Sequence, residues 1–228
     1  MPKPESIWVV VPAFQEESRL GATLAKLARC GDYRVVVVDD GSTDGTSEVA
    51  AEFPVWRLRH PINCGQGASL RTGIEFALSQ GAQTIVTFDG DGQHDAREIE
   101  RLTQPVLEGE CDVALGTRFL GNTQGMPLSR RALLTVAVWF TRLTTGLKLT
   151  DAHNGFRALS RVAAKSIEIK QPRMAHASEI LDQIARKRLR YREVPVTISY
   201  TAETLEKGQS TLDAVRIGSE LALGRFVK

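Results

Sequence analysis

Two carboxylates one residue apart, Asp89 and Asp91, follow the apolar run Thr84-Ile85-Val86-Thr87-Phe88 and precede Gly92-Gln93-His94. Acids this close repel each other unless a cation lies between them. Oxygen donors suit a hard ion such as Mg²⁺ or Mn²⁺, which commonly takes one or two carboxylates together with substrate phosphate oxygens. A buried strand that stops on Asp-Gly-Asp sets its acids at the carboxyl edge of a sheet, where open α/β folds bind ligands. The chemistry on offer is a metal–diphosphate site. Asp and Gly are also ordinary turn residues, and taken alone the tripeptide reads more readily as a polar turn.

The elements around it change that balance. Ile7-Trp8-Val9-Val10-Val11 runs into Pro12-Ala13-Phe14-Gln15-Glu16-Glu17, and Val35-Val36-Val37-Val38 runs into Asp39-Asp40-Gly41-Ser42-Thr43-Asp44. Unbroken β-branched runs of this length fit strands covered on both faces. Each ends in acidic or turn residues and leads into a helix-like stretch, so three strands present polar groups at the same kind of edge. Turn chemistry alone does not readily produce that repetition.

Strands are expected near 7–11, 34–39, 55–59, 84–88 and 112–116, with helices between them. Ser18 is a candidate cap for the first helix and Asp44 for the second. Leu70, Ile74, Ala77 and Leu78 give the third helix one apolar face, and Ile99, Leu102 and Val106 do so for the fourth. Repeated βα units imply an α/β fold with a largely parallel sheet and right-handed crossovers. Beyond residue 117 the pattern loosens. A loop is followed by a helix over about 129–143, a Gly-containing segment over 151–159, a helix over about 175–187 and an edge strand over 193–200. The tail from Leu212 onward is weakly helical.

At 228 residues, the length suits one domain, with regular βα units over 1–117, a looser half over 118–211 and a helical tail over 212–228. A formal net charge of +2 gives no reason to expect nucleic acid as a partner. Cys30, Cys64 and Cys111 have neither disulfide-framework nor metal-ligand spacing, which fits a reducing cytoplasm. The polar start carries no signal-peptide pattern. No window holds the roughly 18 uncharged apolar residues of a membrane span.

Six motifs in order resemble the family 2 glycosyltransferases of the GT-A fold, within them the dolichol-phosphate mannosyltransferase-like, polyprenyl-phosphate-using branch. They are Pro-x-Phe-x-Glu at 12–16, Val-Asp-Asp-Gly-Ser-x-Asp-Gly-Thr at 38–46, Asn-x-Gly-x-Gly at 63–67, Asp-Gly-Asp-Gly-Gln-His at 89–94, Gly-Thr-Arg-Phe at 116–119, and Asp-x-x-Asn-Gly-Phe-Arg at 151–157. Glu-Val-Pro-Val at 193–196 also fits. Gln15 stands where Asn is usual, and 174–179 is less hydrophobic than usual.

The resemblance implies a metal-dependent, inverting transfer from a GDP- or UDP-linked sugar to a polyprenyl phosphate, with 1–117 as the nucleotide-sugar-binding half and 118–211 as the acceptor half. Pro12, Phe14 and Glu16 would wall the nucleotide pocket, and Val38 and Asp40 would contact base and ribose. Asp89, Asp91 and Gln93 would hold Mg²⁺ or Mn²⁺. Arg118 and Arg130 would face phosphate, with Arg131 an equal candidate beside Arg130, and Lys207 would supply a further basic group. A saccharide acceptor, or a non-catalytic nucleotide-binding subunit of a membrane complex, are the alternatives. The expected place is the cytoplasm, with room for peripheral contact with the cytosolic membrane face or a membrane-protein partner.

The acceptor decides whether a base is needed. A sugar hydroxyl must lose its proton to a carboxylate or imidazole, and Asp151, His153, His176 and Glu179 are the candidates. A lipid phosphate arrives as an anion and needs none. His60 reads as structural. His94 reads equally as a shaper of the metal loop or as packing.

Overall fold

The β-branched runs form the centre of a seven-stranded sheet. The computed structural model describes residues 7–120, 123–124, 128–152, 154–173 and 175–199. Strand β1 (Ile7–Ala13) is buried along its whole length. It pairs in parallel with β2 (Arg34–Asp39) on one side and β4 (Thr84–Thr87) on the other, and β3 (Trp56–Arg59) extends the sheet beyond β2. Helices α1 (Glu17–Cys30), α2 (Thr46–Ala51) and α3 (Gln66–Ser79) make the crossovers. A 3₁₀ turn at Ala96–Glu98 leads into α4 (Ile99–Leu107) and then β5 (Val113–Thr117). Asp95 caps that turn, its carboxylate accepting the Arg97 N–H at 3.0 Å.

Beyond β5 come β6 (Thr123–Gln124), α5 (Leu128–Thr145), β7 (Arg157–Ser160), α6 (Arg161–Ser166), α7 (His176–Arg186), β8 (Tyr191–Pro195) and β9 (Ile198–Ser199). The sheet order is β3-β2-β1-β4-β7-β5-β8, and β6 and β9 pair separately. Only β7 runs against its neighbours, bonding β4 on one side and β5 on the other. The segment 151–159, read from sequence only as Gly-containing, therefore runs into a central strand. Four residues that start on a buried arginine carry no periodicity to announce it.

Alternation along the strands divides the core. Val9, Val11, Val35, Val37, Val86 and Phe88 face Leu20, Leu24 and Leu27 of α1 and Ile99, Leu102 and Val106 of α4. Trp8, Val10, Val36, Val38 and Ile85 face α3 through Leu70, Ile74 and Ala77, together with Ile180, Leu181 and Ile184 of α7. Each such aliphatic side chain is worth about 1.5–3 kcal/mol relative to exposure. These layers hold the carboxyl ends of β1, β2 and β4 in fixed register, and strand order reverses beside β1, where ligands collect in such sheets.

Ser18 is not the cap of α1; it lies inside the helix, and Glu16 at the cap position makes no side-chain cap bond. The orphan N–H groups instead reach across to the loop after β2. Gln15 N donates to Ser42 Oγ at 3.0 Å, Glu16 N to Thr46 Oγ1 at 2.9 Å and Glu17 N to Asp44 Oδ2 at 3.2 Å. Asp44 is not the cap of α2 either: Gly45 occupies that position without a side-chain cap bond, and Asp44 accepts Thr46 N at 3.1 Å from one residue further out. Gln15 has φ +56°, a left-handed conformation that Asn tolerates better than Gln.

Candidate active site

The loop after β4 is shaped from three sides. Phe88 N still bonds Val10 O at 3.0 Å, and the chain then turns through Gly90 and Gly92 (φ +78°). Gly90 passes so near β1 that a Cβ there would come within 3.1 Å of the Pro12 carbonyl oxygen. From α1, Thr23 Oγ1 donates to Gly90 O at 3.2 Å. Beneath the loop, His94 packs on Phe88 and Phe156, with ring centroids 5.5 and 5.0 Å away. Its Nε2 lies 3.1 Å from Asp89 Oδ2. His94 thus both packs and shapes the acidic loop, and Ser199 N bonds Gln93 O at 3.1 Å to tie β9 to the same turn.

The two acids are tuned in opposite directions. Burial works to raise Asp89, but the His94 hydrogen bond and the charges of His94, His176 and Arg157 outweigh it and hold Asp89 below the usual carboxylate range. Gln66 Nε2 donates to its Oδ1 at 2.8 Å. Asp91 is pushed up by burial and then by the charge of Asp89, against the Gln93 N–H, His94 and Arg19. An ionised acid beside one that resists ionisation is relieved by positive charge placed between them. The donors are hard carboxylate oxygens, so the pair fits Mg²⁺ or Mn²⁺. Gln93 contributes its backbone N–H to Asp91 Oδ1 at 3.0 Å, and its side chain is part-buried on the same turn.

Arg157 enters from β7. It is buried, and burial lowers it to about 10, with Asp89 and Asp151 pulling the other way; it remains a cation at neutral pH. Arg118, set from sequence against a phosphate, has a buried carboxylate partner: its Nε donates to Asp151 Oδ2 at 2.6 Å. Asp151 is itself positioned by Glu193, whose Oε1 accepts Thr150 N at 2.6 Å and Asp151 N at 3.2 Å.

The nucleotide-pocket expectations separate into distinct placements. Phe14 is 42 % exposed at the rim, while Pro12 is buried. Glu16 pairs with Arg19 at 2.6 Å. Val38 corrects the sequence reading: its side chain is fully buried against α3, because alternation along β2 points it into the core. Asp40 is buried and engaged. Its Oδ1 lies 2.7 Å from His60 Nδ1 and accepts Cys64 N at 3.0 Å, and its Oδ2 accepts Gly65 N at 2.6 Å. His60 in turn lies 3.0 Å from Thr72 Oγ1, so both of its ring nitrogens are engaged. Arg130 and Arg131 belong to α5, but their side chains, like Lys207, His153 and the tail 212–228, lie outside the described residues.

Two proposed bases have other duties. Glu179 Oε2 accepts Lys170 N at 3.0 Å and Gln171 N at 2.9 Å. His176 is buried, with Nδ1 2.8 Å from Arg173 O.

A sequence model of Glycosyl transferase family 2 matches residues 8–168. The chain belongs to that family. It is 28 % identical over 243 residues to a UDP-N-acetylglucosamine–dolichyl-phosphate N-acetylglucosaminyltransferase of Methanococcus voltae, covering 97 % of each chain. It is 29 % identical over 202 residues to an undecaprenyl-phosphate mannosyltransferase of Micrococcus luteus, covering 84 % of this chain and 82 % of that one. Among solved structures it is similar to glucosyl-3-phosphoglycerate synthase of Mycobacterium tuberculosis in complex with Mn²⁺ and UDP-glucose. That match has a TM-score of 0.72 at 19 % identity, over 96 % of this chain and 77 % of the other. The fold is GT-A, and the protein is a glycosyltransferase.

In this family 2 glycosyltransferase, the site includes residues that residue-type reasoning passed over. Gln66 lies inside the Asn-x-Gly-x-Gly motif and Arg157 closes Asn-Gly-Phe-Arg; both motifs were recognised without their side chains being assigned to Asp89. Gly155 is the third. A Cβ there would lie 2.8 Å from Asp89 Oδ2. Gly155→Ala should displace that carboxylate and weaken Mn²⁺ binding about tenfold or more, since ligand orientation by surrounding groups is worth about 10–100-fold in metal affinity. Titration of Mn²⁺ into the variant checks this, and unchanged affinity would show that Asp89 has room to move.

Proposed function

We propose that this glycosyltransferase moves a sugar from a GDP- or UDP-linked donor onto polyprenyl phosphate, with inversion and with Mg²⁺ or Mn²⁺. The observation that carries the reading is the Asp89–Asp91 pair at the sheet's edge, one acid held charged and its neighbour resisting charge. A divalent cation there would neutralise the departing nucleoside diphosphate, an effect worth several kcal/mol. The complexes of glucosyl-3-phosphoglycerate synthase with Mn²⁺ and UDP-glucose support the same use of the fold. Phe14 and Glu16 would border the nucleotide, and Arg130 and Lys207 are proposed as phosphate-facing cations.

The acceptor follows from what surrounds the acids. Among the described residues, Asp151 is committed to Arg118, Glu179 to backbone N–H groups and His176 to a carbonyl. An acceptor that brings its own negative oxygen needs no base: that oxygen bonds to the anomeric carbon as the carbon–oxygen bond to the diphosphate breaks, and no proton moves. The names of the Methanococcus and Micrococcus relatives point to the same acceptor class.

Peripheral membrane contact belongs to this proposal. Val136, Trp139, Phe140 and Leu143 of α5 are 64, 64, 37 and 69 % exposed, spaced to share one helix face. The helix carries Arg130, Arg131 and Arg142 and no acid, a combination suited to an anionic lipid surface. No helix of the described residues is long and apolar enough to cross a membrane.

The test is to incubate the protein with radiolabelled nucleotide sugar, Mn²⁺ and either polyprenyl phosphate or oligosaccharide. Label extracted into organic solvent only with the lipid phosphate supports the reading. Label transferred only to oligosaccharide overturns the acceptor assignment.

A further inference from the structure

Arg19 stands beside the acidic loop on the same face of α1 as Thr23, the residue whose hydroxyl holds the Gly90 carbonyl. Its side chain is 13 % exposed. One edge of the guanidinium is anchored, with Nη2 2.6 Å from Glu16 Oε2. Its Nε is buried and has no hydrogen-bond acceptor among the described residues. Its charge reaches Asp91, where it opposes the effects of burial and of Asp89. A guanidinium held by one ion pair, with Nε and Nη2 buried and making no hydrogen bond among the described residues, beside the loop that Thr23 holds, is arranged to take a second anion.

We propose that Arg19 is a contact for the donor's diphosphate. The inference rests on the donor reading above and adds to it a residue from the first helix. When metal and nucleotide enter together, the bare Nε donates to a phosphate oxygen.

Removal of the charge should act with opposite sign on the two ligands. Mn²⁺ and Arg19 are like charges beside the same acidic loop, whereas nucleoside diphosphate and Arg19 attract. In the full chain, Arg19→Gln should bind Mn²⁺ alone about three- to tenfold more tightly, as removal of a nearby like charge requires. The same variant should bind UDP or GDP about tenfold more weakly at saturating Mn²⁺, the scale of a lost charge-assisted hydrogen bond. Arg19→Lys keeps the charge but loses the fork, so it should leave Mn²⁺ affinity unchanged and still weaken the nucleotide. Lys26→Gln removes a charge from an exposed position on the same helix and should change neither.

Mn²⁺ binding is read from the electron paramagnetic resonance of the free ion, and nucleotide binding by calorimetry. If Arg19→Gln weakens both ligands together, the residue only supports the fold and the inference is overturned. An effect of Lys26→Gln equal to that of Arg19→Gln overturns it too, because a diffuse field would then suffice. A wild-type chain that binds no nucleotide with Mn²⁺ takes down the donor reading and this inference together. Normal wild-type binding with an unchanged Arg19→Gln sinks the inference alone.

Discussion

Asp91→Asn is expected to remove the divalent-cation dependence of nucleotide binding and to lower kcat/KM by about 10³-fold or more. The magnitude follows from a metal contribution of several kcal/mol at about 1.36 kcal/mol per tenfold in rate. The fold should survive, because Asn can still accept the Gln93 N–H through its side-chain oxygen. Stability should rise slightly. The folded state holds the Asp91 carboxyl above its ordinary range, so at neutral pH its ionised form opposes folding, and an uncharged isostere relieves that. Thermal melts with and without Mn²⁺ and nucleoside diphosphate, together with the radiolabel assay, measure both effects. A variant that kept a Mn²⁺-dependent shift would refute the assignment of Asp91 as a ligand.

Asp151→Asn should be the most destabilising single change at the site. It leaves the Arg118 guanidinium buried without its carboxylate and removes one of two acids that help keep buried Arg157 charged. Breaking a buried pair from one side costs about 3–5 kcal/mol, which for a chain of this size lowers Tm by about 6–20 °C. Adding Arg118→Met to Asp151→Asn should recover much of the loss, since removing both charges is far cheaper than removing one. Urea unfolding of the two single variants and the double variant closes the cycle. The folded double variant also decides the role of Arg118: intact donor and lipid-phosphate binding would leave it purely a partner of Asp151, and lost binding would support a phosphate contact.

The strand ends and the acidic loop were legible because their signals are local. A β-branched run stopping on Pro12, Asp39 or Asp89 needs no distant information to be recognised. What stayed hidden mostly involves partners far along the chain. Arg118 finds Asp151 33 residues away, and a solitary Gly-Thr-Arg-Phe cannot announce that. Ser18 looked like a cap, yet the loop after β2 supplies the acceptors from 27 to 30 positions downstream. Val38 sits in a recognisable motif, but the period-two alternation that buries it also follows from the sequence and was outweighed by the family pattern. Arg157 hid its strand, because an arginine fully enclosed at a sheet's centre is intelligible only once Asp89 and Asp151 are seen beside it.

Because β7 runs antiparallel and is bonded on both edges, the strand that leads into the acidic loop and the strands of the chain's second half are stitched through one continuous ladder. They have no seam along which to swing apart. An enzyme built this way cannot admit its two substrates by opening like a clamshell. Any gating must come from segments lying above the sheet, while the strand that leads to Asp89 and the strand that carries Arg157 are paired within it.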